Sequence, residues 1–224
     1  MNNMKKIVII ENGPSLCAFF GRALDTAGVE HSTTRMWRGD PLPEEFDACI
    51  LTGDYHDITR GLKERHRREL DFLERLDGRK LFASCFSHQL VASAHGGKIS
   101  RREKRLLRWE DVAVETGHPA VGGIVSFDAV CLNIEEVVKP PGDAVLLGSS
   151  EGCANHLLSY GDNILSCQGH PEMSVRRGSA RVDTLALWLA GGPTSTYREY
   201  RGSRPSSLTE TSEFMQSVIL WLSS

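Results

Sequence analysis

The feature that most constrains this chain is an apolar segment that stops at a cysteine and continues as an amphipathic segment. Residues 80–97 read KLFASCFSHQLVASAHGG. The run at 81–84 is typical of a buried strand, and residues 86–94 carry apolar side chains at helical spacing before two glycines. This order predicts a strand, a tight turn that carries Cys85, and a helix, an arrangement that can expose a nucleophile.

Strand-like and helix-like segments alternate before this unit. We predict buried strands at 5–10 and 46–51, a helix that begins at Pro14 and closes at Gly28, and a charged helix at 62–76. The alternation predicts an α/β fold in which helices cover both faces of a mostly parallel central sheet.

Shorter segments with turn signals between them follow the cysteine unit. We interpret them as strands of a small antiparallel extension of the same sheet, at 109–115, 122–130, 145–149 and 156–160. A strand at 164–167 returns to the central sheet, and a helix at 176–190 follows it.

The length of 224 residues fits one domain over 1–224, with a core at 5–190 and a C-terminal extension at 191–224. We predict that the extension starts as a polar connector. Its helix is expected to begin at Ser207, where Glu210 completes a capping box.

Charge and hydropathy exclude several classes of function. The formal net charge of −3 gives no electrostatic reason to expect a nucleic-acid partner. The apolar run at 7–10 is too short to span a membrane and ends at Glu11. We therefore expect a cytoplasmic protein that binds neither nucleic acid nor a membrane.

The six cysteines do not indicate disulfides, because no export signal accompanies them. Cys153 and His156 have the spacing of metal ligands, but an odd offset on a strand places two side chains on opposite faces. No Walker A loop or G-x-G-x-x-G motif occurs. We expect neither a metal nor another cofactor.

Cys85 by itself fits a buried small side chain as well as a nucleophile. A helix that begins at Phe86 would direct backbone N–H groups at a thiolate and so favour the reactive form. Downstream, residues 167–172 read CQGHPE, which places His170 after a predicted strand and Glu172 two residues later. A thiol, an imidazole and a carboxylate are the groups that nucleophilic acyl transfer requires.

A third element lies at the end of the strand at 46–51. Gly53 and Asp54 follow that strand, on the side of a parallel sheet where ligands bind. Their backbone N–H groups, together with that of Phe86, could bind an oxyanion that develops during acyl transfer.

Together these motifs resemble those of the class I glutamine amidotransferases, in particular stand-alone relatives of the amidotransferase domain of GMP synthase. The family's nucleophile turn reads roughly G-x-C-x-G-H-Q, and residues 83–89 read ASCFSHQ. Its histidine motif reads Q-x-H-P-E, and residues 168–172 read QGHPE. Its oxyanion loop reads roughly S-G-G/S-P, and residues 52–55 read TGDY. The resemblance covers about 5–190 and implies a flavodoxin-like α/β fold.

The resemblance also implies a mechanism. Cys85 would attack the side-chain amide of glutamine, His170 would transfer protons, and Glu172 would orient His170. The N–H groups of Asp54 and Phe86 would hold the oxyanion. Gln89 would contact the amino-acid end of the substrate. Water would then hydrolyse a glutamyl thioester, so that glutamate and ammonia are released.

Three departures from the family pattern matter. Ala83 and Ser87 replace glycines but remain small. The carboxylate of Asp54 would disfavour an oxyanion unless it points away. Residues 132–135 read LNIE where many relatives carry W-H-x-D beside the glutamine pocket, which leaves the substrate open.

Three hypotheses follow for the function. The first is a glutamine-hydrolysing component that passes ammonia to a separate synthetase subunit. The second is a stand-alone γ-glutamyl peptidase or hydrolase that acts on another γ-glutamyl compound. The third is a non-catalytic regulatory relative, against which the complete Cys-His-Glu set argues.

Other charged residues receive a structural interpretation. We predict that residues 60–80, Glu69 included, form a solvated helix face, and that 101–105 form a surface loop, with contact to a partner or an anionic substrate as the alternative. His88 is expected to be structural, because its helical position points it away from the thiol.

Overall fold

The computed structural model describes residues 5–13, 17–115, 117–173, 179–206 and 212–224. The described strands are β1 (Ile7–Glu11), β2 (His31–Arg35), β3 (Ala48–Leu51), β4 (Lys80–Ser84), β5 (Lys98–Arg101), β6 (Arg108–Val114), β7 (Ser126–Cys131), β8 (Glu135–Lys139), β9 (Ala144–Ser150), β10 (Cys153–Tyr160) and β11 (Ile164–Cys167). The described α-helices are α1 (Cys17–Thr26), α2 (Glu64–Leu73), α3 (Phe86–Ala94), α4 (Ser179–Leu189), α5 (Ser195–Gly202) and α6 (Glu213–Ser223).

Nine of these strands form one mixed sheet in the order β2-β1-β3-β4-β11-β10-β9-β6-β7. The first five are parallel to one another, and the last four extend the sheet with antiparallel pairs. Strands β5 and β8 form a separate antiparallel pair. The predicted α/β class, with its parallel centre and antiparallel extension, is confirmed.

Alternate side chains of the central strands face two different helical layers. Ile7 and Ile9 of β1 pack in a cluster with side chains of α1 and α6. Val8 and Ile10 pack on the other side with α2 and α3. Because both faces are covered, these strands are apolar without interruption, and that continuity made them recognisable in the sequence.

The C-terminal residues pack more deeply than a peripheral extension would. Phe214 of α6 stacks on Phe127 at 3.8 Å between ring centroids. The polar connector at 194–206 contains α5, in which Tyr200 is fully buried and stacks near Trp109. Helix α6 begins after Ser212, whose hydroxyl accepts a hydrogen bond from Met215 N.

Three predicted helix starts lie outside the described residues: Pro14, Arg176 and the Ser207–Glu210 capping box. In the part of the chain that the structure describes, no helix has the length and apolar character needed to cross a membrane.

Candidate active site

Cys85 occupies the sharp turn between β4 and α3. Its φ and ψ angles are 55° and −109°, a combination that side chains with a Cβ rarely adopt. Such backbone strain costs on the order of 1–3 kcal/mol and is retained where the surrounding structure enforces it. Here Cys85 N donates to Cys167 O of β11 at 2.9 Å, which ties the turn to the neighbouring parallel strand.

His170 reaches the same edge of the sheet from the end of β11. Its backbone N donates to Val130 O of β7 at 2.9 Å. The ring nitrogen Nδ1 lies 2.7 Å from Glu172 Oε1, and His170 lines the same cavity as Cys85. The structure therefore places the predicted thiol, imidazole and carboxylate at one site.

The charges around His170 determine its protonation. Burial by itself would lower its pKa, but the negative charges of Glu172 and the Cys85 sulfur, with the hydrogen bond that the ring donates to Glu172, raise the pKa to about 10. At neutral pH the ring thus carries the extra proton, and this acid form can protonate a leaving nitrogen.

The predicted oxyanion loop lies beside this group. Asp54 lines the same cavity as Cys85 and Phe86, whereas Gly53 is buried behind it. The Asp54 carboxylate is held by Arg65 and by His66 Nε2, the latter at 2.8 Å. Although burial would raise the pKa of Asp54, these two hydrogen bonds lower it. The Arg65 guanidinium of α2 therefore offsets the charge of Asp54, whereas burial lowers the pKa of His66.

These residues surround a cavity of about 120 Å³. The lining residues are Asp54, Tyr55, His56, Asp57, Cys85, Phe86, Gln89, Arg105, Leu132, Asn133, Ile134, Glu135, His170, Leu185, Trp188 and Leu189. Outside 1–4, 14–16, 116, 174–178 and 207–211, no group of three His, Cys, Asp or Glu side chains could hold a metal ion.

Comparison with known proteins relates this chain to two groups of enzymes. The chain is 27% identical over 139 residues to γ-glutamyl peptidase 3 of Arabidopsis thaliana, and the match covers 58% of this chain and 55% of that protein. It is 28% identical over 132 residues to one subunit of the glutamine-hydrolysing GMP synthase of Sulfolobus acidocaldarius, covering 58% and 69%. A glutamine amidotransferase from Thermotoga maritima superposes with a TM-score of 0.75 over the full length of both chains at 14% identity.

The chain shares the fold of solved glutamine amidotransferases, and its sequence is similar to γ-glutamyl peptidases and to subunits of glutamine-hydrolysing GMP synthases. The chain spans little more than half of the length of the peptidases that it matches. No protein-family model matches it.

The segment that departs from the amidotransferase W-H-x-D pattern does line the cavity. Glu135, at the position of the family's aspartate, is buried and accepts hydrogen bonds from Ile58 N at 2.6 Å and from Thr59 N at 3.2 Å. Its carboxylate therefore fixes the neighbouring loop. Gln89 donates its amide protons to Glu135 O and to Gln168 Oε1, at 2.6 and 3.1 Å, so its Oε1 is not used in either hydrogen bond.

Arg105 is a cavity residue that sequence reasoning placed in a surface loop. Its Nη1 donates to Leu132 O at 2.7 Å, and its half-buried guanidinium lines the cavity with Cys85. Burial lowers the pKa of Arg105, and the charges of Cys85 and Asp57 act in the opposite direction and raise it. The signal in the sequence was the density of the basic cluster, but nothing in it distinguished Arg105 from its exposed neighbour Lys104.

Two further sequence interpretations concern buried groups. His88 is structural in its contacts: it is buried, its Nδ1 lies 2.9 Å from Ser166 Oγ, and burial lowers its pKa to about 4.

The prediction that Glu69 lies on a solvated face is wrong. In α2 the buried face consists of His66, Glu69 and Phe72, because the helix turns the polar side chains of His66 and Glu69 towards the polar ends of β1 and β3.

Gly169 permits the close approach that places His170. A Cβ at this position would lie 2.7 Å from His156 Nε2 and 2.8 Å from Ala129 Cβ, both in buried residues. We expect Gly169→Ala to displace His170 and to lower kcat by about tenfold or more, with a loss of stability of about 1–3 kcal/mol. Steady-state kinetics and thermal unfolding measure both. The control is Gly142→Ala at an exposed position with open space, and wild-type kcat in Gly169→Ala would contradict the expectation.

Proposed function

We propose that the chain hydrolyses γ-glutamyl amides, glutamine foremost, through a thioester on Cys85. The observation that carries this proposal is that Cys85 and His170 line one cavity, while Glu172 holds the Nδ1 side of the His170 ring at 2.7 Å. The charge of the Cys85 sulfur acts on His170, so the imidazole can carry the proton without a further activating group.

The proposed reaction has two steps. The sulfur of Cys85 bonds to the γ-carbonyl carbon while the N–H groups of Asp54 and Phe86 stabilise the oxyanion. As the C–N bond breaks, His170 gives its proton to the leaving nitrogen. A water molecule then adds to the thioester, His170 takes up the water proton, and the C–S bond breaks to release glutamate.

For glutamine the leaving group is ammonia, and we propose that a separate synthetase subunit receives it. This extension is supported by the GMP synthase homologue from Sulfolobus acidocaldarius, which is one subunit of a larger enzyme. A γ-glutamyl peptide is the second candidate substrate. The similarity to γ-glutamyl peptidases supports this substrate. So does the exposed aromatic pair Tyr55 and Trp188 at the cavity, because the leaving group of a γ-glutamyl peptide can make apolar contacts with these rings and the leaving group of glutamine, ammonia, cannot.

Product assays with the purified chain test the proposal. Ammonia released from glutamine, and increased by a co-purifying partner, supports the amidotransferase reaction. Glutamate released from γ-glutamyl peptides and not from glutamine supports the peptidase reaction. Absence of both activities in folded protein, over the pH range 6 to 9, would reject the proposed function.

Arg105 is expected to bind the α-carboxylate that all these substrates share. Charge-assisted hydrogen bonds contribute about 1.5–3 kcal/mol, so Arg105→Ala should raise KM about 10- to 100-fold with a smaller change in kcat. A substrate with an amidated α-carboxyl group should bind poorly to the wild type, and Arg105→Ala should not weaken it further. Lys104→Ala, an exposed cation in the same loop, is the matched control. Equal losses for both substrates in Arg105→Ala would refute this role.

A further inference from the structure

A carboxyl group is buried behind the nucleophile turn, away from the cavity. Glu69 of α2 is fully buried, and its Oε1 accepts hydrogen bonds from Asn12 Nδ2 at 2.9 Å and from Ser87 Oγ at 3.0 Å. Ser87 is one of the two residues that replace glycine in the family's nucleophile motif.

The partners of Glu69 connect the ends of separate elements. Asn12 follows β1, and it contacts Thr52, which follows β3, through Asn12 N to Thr52 Oγ1 and Asn12 Nδ2 to Thr52 O, each at 3.2 Å. Ser87 Oγ, in the first turn of α3, lies 2.8 Å from the same Thr52 O. All four residues are buried, so the network is shielded from water.

We propose that Glu69 is a positioning residue: by holding Asn12 and Ser87 it fixes the oxyanion loop at 52–54 relative to the nucleophile turn at 85–87. This inference rests on the proposed hydrolysis through Cys85. Glu69 acts through its partners, because Thr52 lies two residues before Asp54 and Ser87 lies two residues after Cys85. A small shift of either loop would misalign the sulfur and the oxyanion donors.

The network is best satisfied when Glu69 is neutral. Its Oε2 and the Oδ1 of Asn12 have no hydrogen-bond partner within the described residues, so a carboxyl proton would add a donor to a cluster that has spare acceptors. Burial raises the pKa of Glu69 from 4.5 to about 7, against the hydrogen bonds from Asn12 and Ser87.

Charged and titratable groups around Glu69 have opposing effects. Asp54 raises its pKa further and Arg65 lowers it, while Glu69 in turn raises the pKa of the buried Cys49 thiol. As the pKa of the folded state lies above the ordinary value, the proton stabilises the fold fully below pH 4.5. That contribution is lost as the pH rises through about 7.

Two substitutions at Glu69 separate positioning from charge. Glu69→Gln keeps an acceptor oxygen and cannot ionise. We expect it to retain kcat at pH 6.5 and to lack the decline in kcat that we expect of the wild type between pH 7 and 9. Loss of the His170 proton falls near pH 10, above this range. Glu69→Ala removes the acceptor and should lower kcat about 10- to 100-fold with little change in KM.

Phe72→Leu is the control for general damage to α2, because Phe72 is buried on the same helix face but packs on Phe46. It should keep the wild-type kcat and pH profile. A folded Glu69→Ala variant with wild-type kcat overturns the positioning role. A Glu69→Gln variant that keeps the alkaline decline overturns the need for a neutral carboxyl group.

Alkylation of Cys85 by iodoacetamide provides a readout that requires no substrate. The rate is followed on the Cys85 peptide by mass spectrometry, with Cys85→Ser as the blank. We expect Glu69→Ala to change this rate several-fold and Glu69→Gln to leave it unchanged. If the wild type hydrolyses nothing, the proposed function fails, and an unchanged alkylation rate in folded Glu69→Ala then rejects the positioning role as well.

Discussion

Replacement of Cys85 by alanine is expected to abolish hydrolysis of γ-glutamyl amides, with a loss in kcat of at least about three orders of magnitude. Removing the nucleophile of a catalytic triad typically costs on the order of a millionfold, since the alternative is direct attack by water. The sulfur here has no substitute, because none of the other described cysteines, Cys49, Cys131, Cys153 and Cys167, lines the cavity.

The covalent intermediate gives a second measurement of the same prediction. Rapid quenching of the wild type with substrate should reveal a glutamyl adduct on the Cys85 peptide, and the Cys85→Ala variant should show none. Cys153→Ala, a buried cysteine outside the cavity, should keep its activity within about threefold. If folded Cys85→Ala matches the wild type in every assay, Cys85 is not the nucleophile. That result would support the hypothesis of a non-catalytic regulatory protein.

The Cys85 unit was predictable because its information is local. The predicted helix at 86–94 matches α3 residue for residue, and the strand before it differs by one residue. An apolar run, a small turn and an alanine-rich helix are each encoded within a few positions. The pairing of Cys85 with His170 could be inferred only from two motifs taken together, since 85 residues separate them in the chain.

Elements that depend on distant partners were harder to predict. Strand β2 reads HSTTR, and this edge strand has no apolar pattern that distinguishes it from a loop. Glu69 and Arg105 are charged residues that ordinarily face water. Their burial follows from what surrounds them: the polar ends of β1 and β3 for Glu69, and the cavity wall for Arg105. A sequence read segment by segment carries no record of those neighbours.

Removal of α6 by truncation after residue 206 is expected to unfold the chain. Six side chains of this helix are at most 5% exposed: Phe214, Met215, Val218, Ile219, Trp221 and Leu222. Each buried side chain of this size contributes about 1.5–3 kcal/mol. Their combined loss is comparable with the whole free energy of unfolding of a typical domain, which is about 5–15 kcal/mol. Circular dichroism and chemical denaturation of the truncated chain measure the outcome.

Single substitutions in α6 test whether the loss of stability arises from side-chain packing. Phe214 stacks on Phe127 and also contacts Phe82 of β4, the strand that ends at Cys85. Phe214→Ala should lower the free energy of unfolding by about 3–5 kcal/mol. The exposed Leu220 on the same helix is the control, and Leu220→Ala should change it by less than about 0.5 kcal/mol. If residues 1–206 unfold cooperatively at the wild-type midpoint, α6 is dispensable. If they do not, residues 212–224 belong to the cooperative unit that holds the strand before Cys85.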